Sequence, residues 1–403
     1  MSTISISPQT LAIHGGSPVR STFLPYGRQS IEDDDIQAVV EVLRSDWLTT
    51  GPKVAEFEEA FAAYVGAAHA VSFSSGTAAL HGAAFAAGLK PGDEAITTPL
   101  TFAATANCVL YQGATPVFAD VCADTLNLDP EQLAVKVSSR TRAILPVDYA
   151  GHPADLTSIL EIAKRHDLIV IEDASHALGA ECCGRHVGGI ADMTVFSFHP
   201  VKHITTGEGG MVTTNNEKFA ETMRRFRNHG ISSEARQRQS AGQWHYEMVL
   251  LGFNYRLPDI GCALGMKQLK KLNANLVRRR EIATRYTEAF RSLPGVIPPT
   301  VRAGANPAWH LYPIRLDLQK LAADRAQVFR ALRAENIGVN VHYIPVHLHP
   351  YYRQQFGYQG GEFPVAEDAY ARLISLPMFH GMNDQDVEDV IQAVGKVFSH
   401  YAS

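Results

Sequence analysis

The chain has 403 residues, 46% of them hydrophobic and 19% charged, with a net charge of -5. That length carries a large domain and a smaller one. The acidic balance leaves no basic footprint for nucleic acid, and no apolar run approaches the roughly 20 residues that cross a bilayer.

Five cysteines, two of them adjacent (Cys182 and Cys183), lack metal-ligand spacing. They predict reduced thiols of a cytoplasmic protein, with neither a disulfide frame nor a metal centre. The opening residues MSTISISPQT lack the basic stretch and apolar core of a signal peptide. Ser30 and the acids after it open a helix in which Ile36, Val39, Val40 and Leu43 recur at helical spacing to about Arg44. LTTGPK (48–53) reads as a turn-rich loop with exposed hydroxyls.

Short apolar runs then alternate with helical patterns. AVSF (70–73) precedes a helix through Ala87 that Gly88 ends, and EAITT (94–98) precedes one from Thr101 to about Leu110. TPVFADV (115–121) and AILPVDY (143–149) follow. Next come a helix near 156–166, LIVIEDA (168–174), MTVFSF (193–198) and GGMVTT (209–214). Continuous apolar strands separated by helices predict an α/β fold with a mainly parallel sheet covered on both faces. In such sheets the ligand lies outside the carboxyl ends of the strands.

After Pro258 a helix-forming run extends to Leu293, and within it Arg278, Arg279 and Arg280 read as a solvated face. Beyond Pro-rich GVIPPT lies a smaller α+β region. It holds a strand HLYPIRL (310–316), a helix near 324–334, a strand GVNVHY (338–343) and a closing helix from Asp384. The expected division is residues 1–260, a large domain with an N-terminal arm and helix, and 261–403, the bridging helix with a small α+β domain.

Four features carry possible chemistry. SSGTAAL (74–80) opens a helix after a strand, where amides and hydroxyls bind a phosphate or merely cap a turn. Asp173 ends an apolar strand and, once buried, requires a partner: the cationic ring nitrogen of a ligand, an arginine or a helix N-terminus. His176 follows three residues on. Phe102, at another strand-to-helix junction, either stacks on a flat ligand or fills the core. Lys202, in SFHPVKHITTGEGG (197–210), stands between an apolar strand and Gly-rich backbone, where desolvation raises its neutral, nucleophilic fraction. Together the four are the parts that pyridoxal phosphate needs: a phosphate anchor, a stacking ring, an acid for the pyridinium nitrogen and an amine.

The order of motifs resembles the DegT/DnrJ/EryC1/StrS sugar aminotransferases, a branch of the aspartate-aminotransferase fold (fold type I), from about residue 24 to 397. LTTGPKV (48–54), SSGTAAL, TTPLTFAATAN (97–107), PVDYAGHPAD (146–155), IEDASHALGA (171–180), SFHPVKHITTGEGG, GFNYRLPDIGCALG (252–265) and VHYIPVHLHPYY (341–352) carry it. The resemblance implies a seven-stranded-type sheet and pyridoxal phosphate held by Lys202, with Asp173 on the pyridinium nitrogen. It implies His176 on the ring hydroxyl, Phe102 on the ring face, and Thr77, Ala78 and Ser197 on the phosphate. Asn254 would reach the cofactor of a second subunit, making the active site shared and the homodimer obligatory. Substrate contacts are expected from Thr49, Thr50, Lys53, His310, Tyr312, His342 and Tyr343, with Arg256 available to the carboxylate of an L-glutamate donor. Within the family the wording is closest to the pseudaminic-acid branch, which aminates C4 of a UDP-linked 4-keto-6-deoxy sugar. A second branch carries a histidine in place of the lysine and dehydrates its substrate; His203, beside Lys202, keeps that chemistry as an alternative. A regulatory protein without turnover and an enzyme acting on free amino acids are the readings from other classes.

Overall fold

The computed structural model describes residues 10–232, 238 and 242–403; the expectation about a signal peptide rests on positions 1–9 and lies outside them. The strands of the first lobe are β1 (His69–Phe73), β2 (Glu94–Thr97), β3 (Thr115–Phe118), β4 (Thr141–Leu145), β5 (Ile169–Asp173), a short hairpin of β6 (Glu181–Cys182) and β7 (Arg185–His186), β8 (Met193–Ser197) and β9 (Gly210–Thr214). Seven of them form one sheet in the order β1-β9-β8-β5-β4-β2-β3. All neighbours are parallel except β9, which runs antiparallel to β1 and β8. Both faces are covered, so Val71, Ile96, Ile144, Val170, Ile171 and Val195 are all fully buried. That is why these strands read as continuous apolar runs.

Helices α1 (Asp33–Leu43), α2 (Pro52–Val65), α3 (Gly76–Ala86), α4 (Ala104–Tyr111), α5 (Pro130–Lys136), α6 (Leu156–His166) and α7 (Glu217–Phe226) belong to this lobe. Glu32, not Ser30, caps α1, sharing a capping box with Asp35. The loop 48–53 gives way earlier than expected to α2, which starts at Pro52. Gly51 and Lys53 donate their backbone N–H groups to the buried Asp259 carboxylate, at 2.8 and 2.9 Å. That carboxylate opens α8 (Asp259–Phe290), the 32-residue helix that bridges the lobes.

The second lobe contains β10 (Val296–Ile297), β11 (Ala305–Asn306), β12 (Tyr312–Leu316), α9 (Arg325–Ala334), α10 (Pro350–Phe356), α11 (Pro364–Arg372), β13 (Leu373–Leu376) and α12 (Asp384–Tyr401). β10, β12 and β13 form its sheet, while β11 pairs with β6 of the first lobe. The run GVNVHY does not become a strand: only Asn340 bridges to Ser375, and the segment turns toward the interlobe cavity instead.

One boundary differs from the sequence expectation. Leu11 and Leu24, in the N-terminal arm assigned to the first domain, pack into the second lobe's core with Val328, Leu332 and Phe398. Leu24 also bridges to Ile337. The tether is Glu335, fully buried, which accepts from the backbone N–H of Ala12 and Val19 at 2.8 and 2.9 Å and from Lys396 Nζ at 2.9 Å. Glu335→Ala leaves the Lys396 charge buried without its carboxylate. The expected loss is about 3–5 kcal/mol of unfolding free energy, read by denaturant titration; a loss below about 1 kcal/mol, the level of an exposed pair, contradicts this account.

Candidate active site

The carboxyl ends of β1, β5 and β8 and the second lobe's 340–343 segment enclose a cavity of about 650 Å³, within the range that takes a cofactor together with a small-molecule substrate. Thr77, Phe102, Asp173, His176, Ser197, Lys202, His310, His342 and Tyr343, all singled out in the sequence, line it.

The phosphate end is built by close backbone approach. Ser75 caps α3 by accepting from the Ala78 N–H at 3.1 Å, so Ala78 lies behind the cavity wall with its amide already bonded. Gly76 lies close to Ser197: a Cβ there would stand 3.0 Å from Ser197 Cβ, a tight contact that the serine would have to relieve. The helix N-terminus with Thr77 and Ser197 beside it is an anion-binding arrangement.

Asp173 is 5% exposed. Its Oδ2 accepts from Thr105 Oγ1 at 2.7 Å and its Oδ1 from the Ser175 N–H at 3.1 Å, which fixes the carboxyl group in place. Thr105 was not picked out from the sequence, although it stands four residues after Thr101, one helical turn on, and their hydroxyls meet at 2.8 Å. Behind the cavity Asp148 and Glu172 are wholly buried. Burial and the neighbouring carboxylate push Asp148 well above the usual range, and burial chiefly raises Glu172 to about 7. Neither lines the cavity, so Asp173 is the strand-end carboxylate presented to it.

Lys202 keeps some surface on the cavity wall, yet the surrounding protein strips water from its amine and lowers its pKa to about 8, with Asp173 pulling the other way. Phe102 is 61% exposed, its ring 6.0 Å from that of Tyr343, so it is a rim aromatic and not core. The Tyr343 hydroxyl meets His176 Nε2 at 2.9 Å. His176 Nδ1 is buried without a protein partner among the described residues, an unused polar atom on the wall of a ligand site. Tyr26, His199, Glu208 and Asn340 also line the cavity and carried no sequence signal of their own.

The expectations for five residues are corrected: Tyr312, Thr49, Lys53, Arg256 and His203. Tyr312 is fully buried in the second lobe's core, its hydroxyl 2.7 Å from Thr287 Oγ1, because β12 alternates and turns this residue inward. Thr49 and Lys53 stand outside the cavity, with Lys53 Nζ paired to Glu56 at 2.6 Å. Asn254, expected at a second subunit's cofactor, is exposed and bridges to Asn228, away from this chain's own cavity as that expectation requires. Arg256 lies there too, donating to Asn228 Oδ1 at 2.8 Å. His203 does not face the cavity: its Nε2 is 3.0 Å from the Ala308 carbonyl.

Burial pushes His176, His203 and His310 well below the ordinary histidine value of 6.5, and takes His342 and His380 to about 4. Between pH 6.5 and about 4 these five imidazoles take protons in the unfolded chain that the folded one refuses, and they outnumber the two buried carboxyls, Asp148 and Glu172, whose raised values act in the opposite sense. The stability these neutral histidines contribute is therefore complete above 6.5 and lost as pH falls toward 4. Lys202 has the same sign higher up: its destabilising effect is full below about 8 and is relieved as pH rises from there toward the ordinary lysine value of 10.5. The thermal midpoint of the apoprotein should drop between pH 6.5 and 4; a flat profile there contradicts the buried, neutral assignment.

A lysine amine, a strand-end carboxylate and a helix N-terminus around one cavity at the carboxyl edge of this sheet define a pyridoxal-phosphate enzyme of the aminotransferase fold. The chain belongs to the DegT/DnrJ/EryC1/StrS aminotransferase family, whose model matches residues 29–395. The spore coat polysaccharide biosynthesis protein SpsC of Bacillus subtilis is 48% identical over 93% of this chain and 97% of its own. Helicobacter pylori PseC, an aminotransferase involved in the biosynthesis of pseudoaminic acid, superposes with a TM-score of 0.88 at 36% identity, covering 94% of this chain and all of that one. Spr1654 of Streptococcus pneumoniae, in its PMP form, superposes with a TM-score of 0.89 at 30% identity over 94% of this chain and 99% of that one. The protein is a pyridoxal-phosphate-dependent sugar aminotransferase, and the Gly76 cradle and the unpartnered His176 Nδ1 fit that cofactor. Among the described residues no helix is long and apolar enough to cross a membrane.

Proposed function

We propose that the protein transfers the amino group of L-glutamate to C4 of a UDP-linked 4-keto-6-deoxy-N-acetylhexosamine, giving UDP-4-amino-4,6-dideoxy-N-acetyl-β-L-altrosamine, in the cytoplasm and as a homodimer. The observation that carries the reading is the meeting of Lys202 and Asp173 on one cavity wall, in a chain similar throughout to PseC. Pyridoxal phosphate supplies there an electron sink on which an amino group is received and passed on.

The chain's own groups do the rest. Lys202 Nζ, with its pKa near 8, takes and returns a proton at neutral pH. Asp173, fixed by Thr105 and Ser175, keeps a cationic ring nitrogen charged. Thr77, Ser197 and the α3 N-terminus hold a phosphate, Phe102 covers a ring face, and His176 Nδ1 is free for a ring hydroxyl. His310, His342 and Tyr343 face the remaining volume, which is the space left for a sugar. His203 is spent on a backbone carbonyl, which favours lysine chemistry over dehydration.

Trp244, Met248 and Leu251 are 85%, 68% and 74% exposed, a stripe leading to Asn254 that supports a second copy seated there. The deciding experiment is a panel of UDP- and dTDP-linked 4-keto sugars incubated with L-glutamate, with products identified by mass and NMR. Amination at C4 of the UDP-linked N-acetylated 6-deoxy sugar is expected; exclusive turnover of a dTDP-linked sugar, or amination at C3, overturns the assignment.

A further inference from the structure

Arg279 was expected on a solvated helix face, but it is 1% exposed. It has no carboxylate partner among the described residues. Nη1 donates instead to the carbonyls of Trp309 at 2.9 Å, His310 at 3.4 Å and Met378 at 3.0 Å. A buried guanidinium without a counter-charge is costly, and burial lowers its pKa to about 10. Its neighbours give it something to hold.

The 308–310 corner carries one wall of the cavity across the lobe junction. On the first-lobe side it is pinned by Gly151, where a Cβ would stand 2.7 Å from the His176 carbonyl oxygen, 2.8 Å from Trp309 N and 3.0 Å from His310 N. Trp309 sits at φ 52, a left-handed conformation that a bulky residue adopts only under constraint. The Ala308 carbonyl is taken by His203 and the next two by Arg279, so three successive carbonyls of an irregular segment end on side chains. At the tip the His310 ring lies 4.4 Å from that of His176, and both line the cavity.

We propose that Arg279 is a positioning residue of the active site, acting from α8 through the backbone of residues 309–310 to hold His310 against His176. All three bonds leave from Nη1 at the end of the side chain, while Nε is buried without a partner among the described residues; a lysine, a compact point charge without the planar head, does not place a donor in the same way. The inference rests on the cavity being the cofactor site. Uptake of pyridoxal phosphate by the wild-type apoprotein tests that premise separately.

The test is a cycle of R279K, H310A and the double variant, read by absorbance titration of each apoprotein with pyridoxal phosphate and by kcat. R279K and H310A should each weaken cofactor binding and lower kcat by about tenfold, the scale of a modest misplacement, and the double variant should be no worse than the poorer single. Effects that multiply in the double variant overturn the proposal, because Arg279 then acts independently of His310. H310A removes no protein hydrogen bond from Nδ1 and leaves the carbonyls that Arg279 holds in place, so wild-type affinity and kcat in that variant alone also overturn it.

Discussion

Lys202→Ala is expected to abolish glutamate-dependent amination while leaving the fold intact. Lys202 is the only lysine lining the cavity among the described residues, and burial has brought its pKa to about 8. A positioned acid–base group of this kind contributes up to about 10⁴-fold, and the loss of covalent attachment adds to that. Borohydride treatment of the wild-type holoenzyme should fix the cofactor to the peptide containing Lys202, whereas the variant should release its cofactor on denaturation. His203 cannot substitute, since its ring nitrogen is spent on the Ala308 carbonyl. The same burial that tunes the amine also makes it a destabilising charge below pH 8. The variant's thermal midpoint at neutral pH should therefore equal or exceed that of wild type. A variant that keeps a tenth of the wild-type rate would remove Lys202 from the centre of the chemistry.

The first lobe was legible because its strands are buried on both faces, which writes continuous apolar runs into the sequence, and because Asp155 caps α6 and Gly88 follows α3 at the positions local chemistry prefers. Helix α2 was not legible. Pro52 suits a first helical position, but the carboxylate that holds its start comes from Asp259, 208 residues beyond Gly51. GVNVHY has the residue types of a strand and the wrong neighbours for one, since a single bridge at Asn340 replaces a ladder.

Among the site residues, three singled out at strand ends or in motifs of known order lie on the cavity wall: Asp173, Ser197 and Lys202. For those placed by tertiary context, local sequence did not decide the outcome. Tyr312 and His310 belong to one short run, yet one fills the core and the other the cavity. Arg279 is the sharper case. Three consecutive arginines look alike in sequence, and only the corner at Trp309 makes the middle one different from Arg278, which pairs with Asp384 at 2.9 Å. Local pattern reports which face a residue shares, while the partner that gives it a task lies elsewhere in the chain.

Asp173→Asn is expected to lower amination by about 10²–10³-fold, the range for deleting one electrostatic group aimed at developing charge. The substitution keeps the shape of the side chain and removes its charge. Thr105 Oγ1 at 2.7 Å and the Ser175 N–H at 3.1 Å now stabilise a carboxylate. An asparagine satisfies only one of them as acceptor and sets its NH₂ group against the other or against the ring nitrogen. A ring nitrogen without a carboxylate loses its proton, and with it the pull on electrons that the reaction requires. Both the step with glutamate and the step with the sugar draw on that pull, so single-turnover rates should fall together in the two half-reactions. Loss in the sugar half alone would instead make Asp173 a substrate contact. Asp173→Glu offers the decisive comparison: it restores the charge one methylene further out in a site only 5% exposed. It should recover part of the rate if charge governs, and none of it if the donors from Thr105 and Ser175 set the geometry too tightly for the longer side chain.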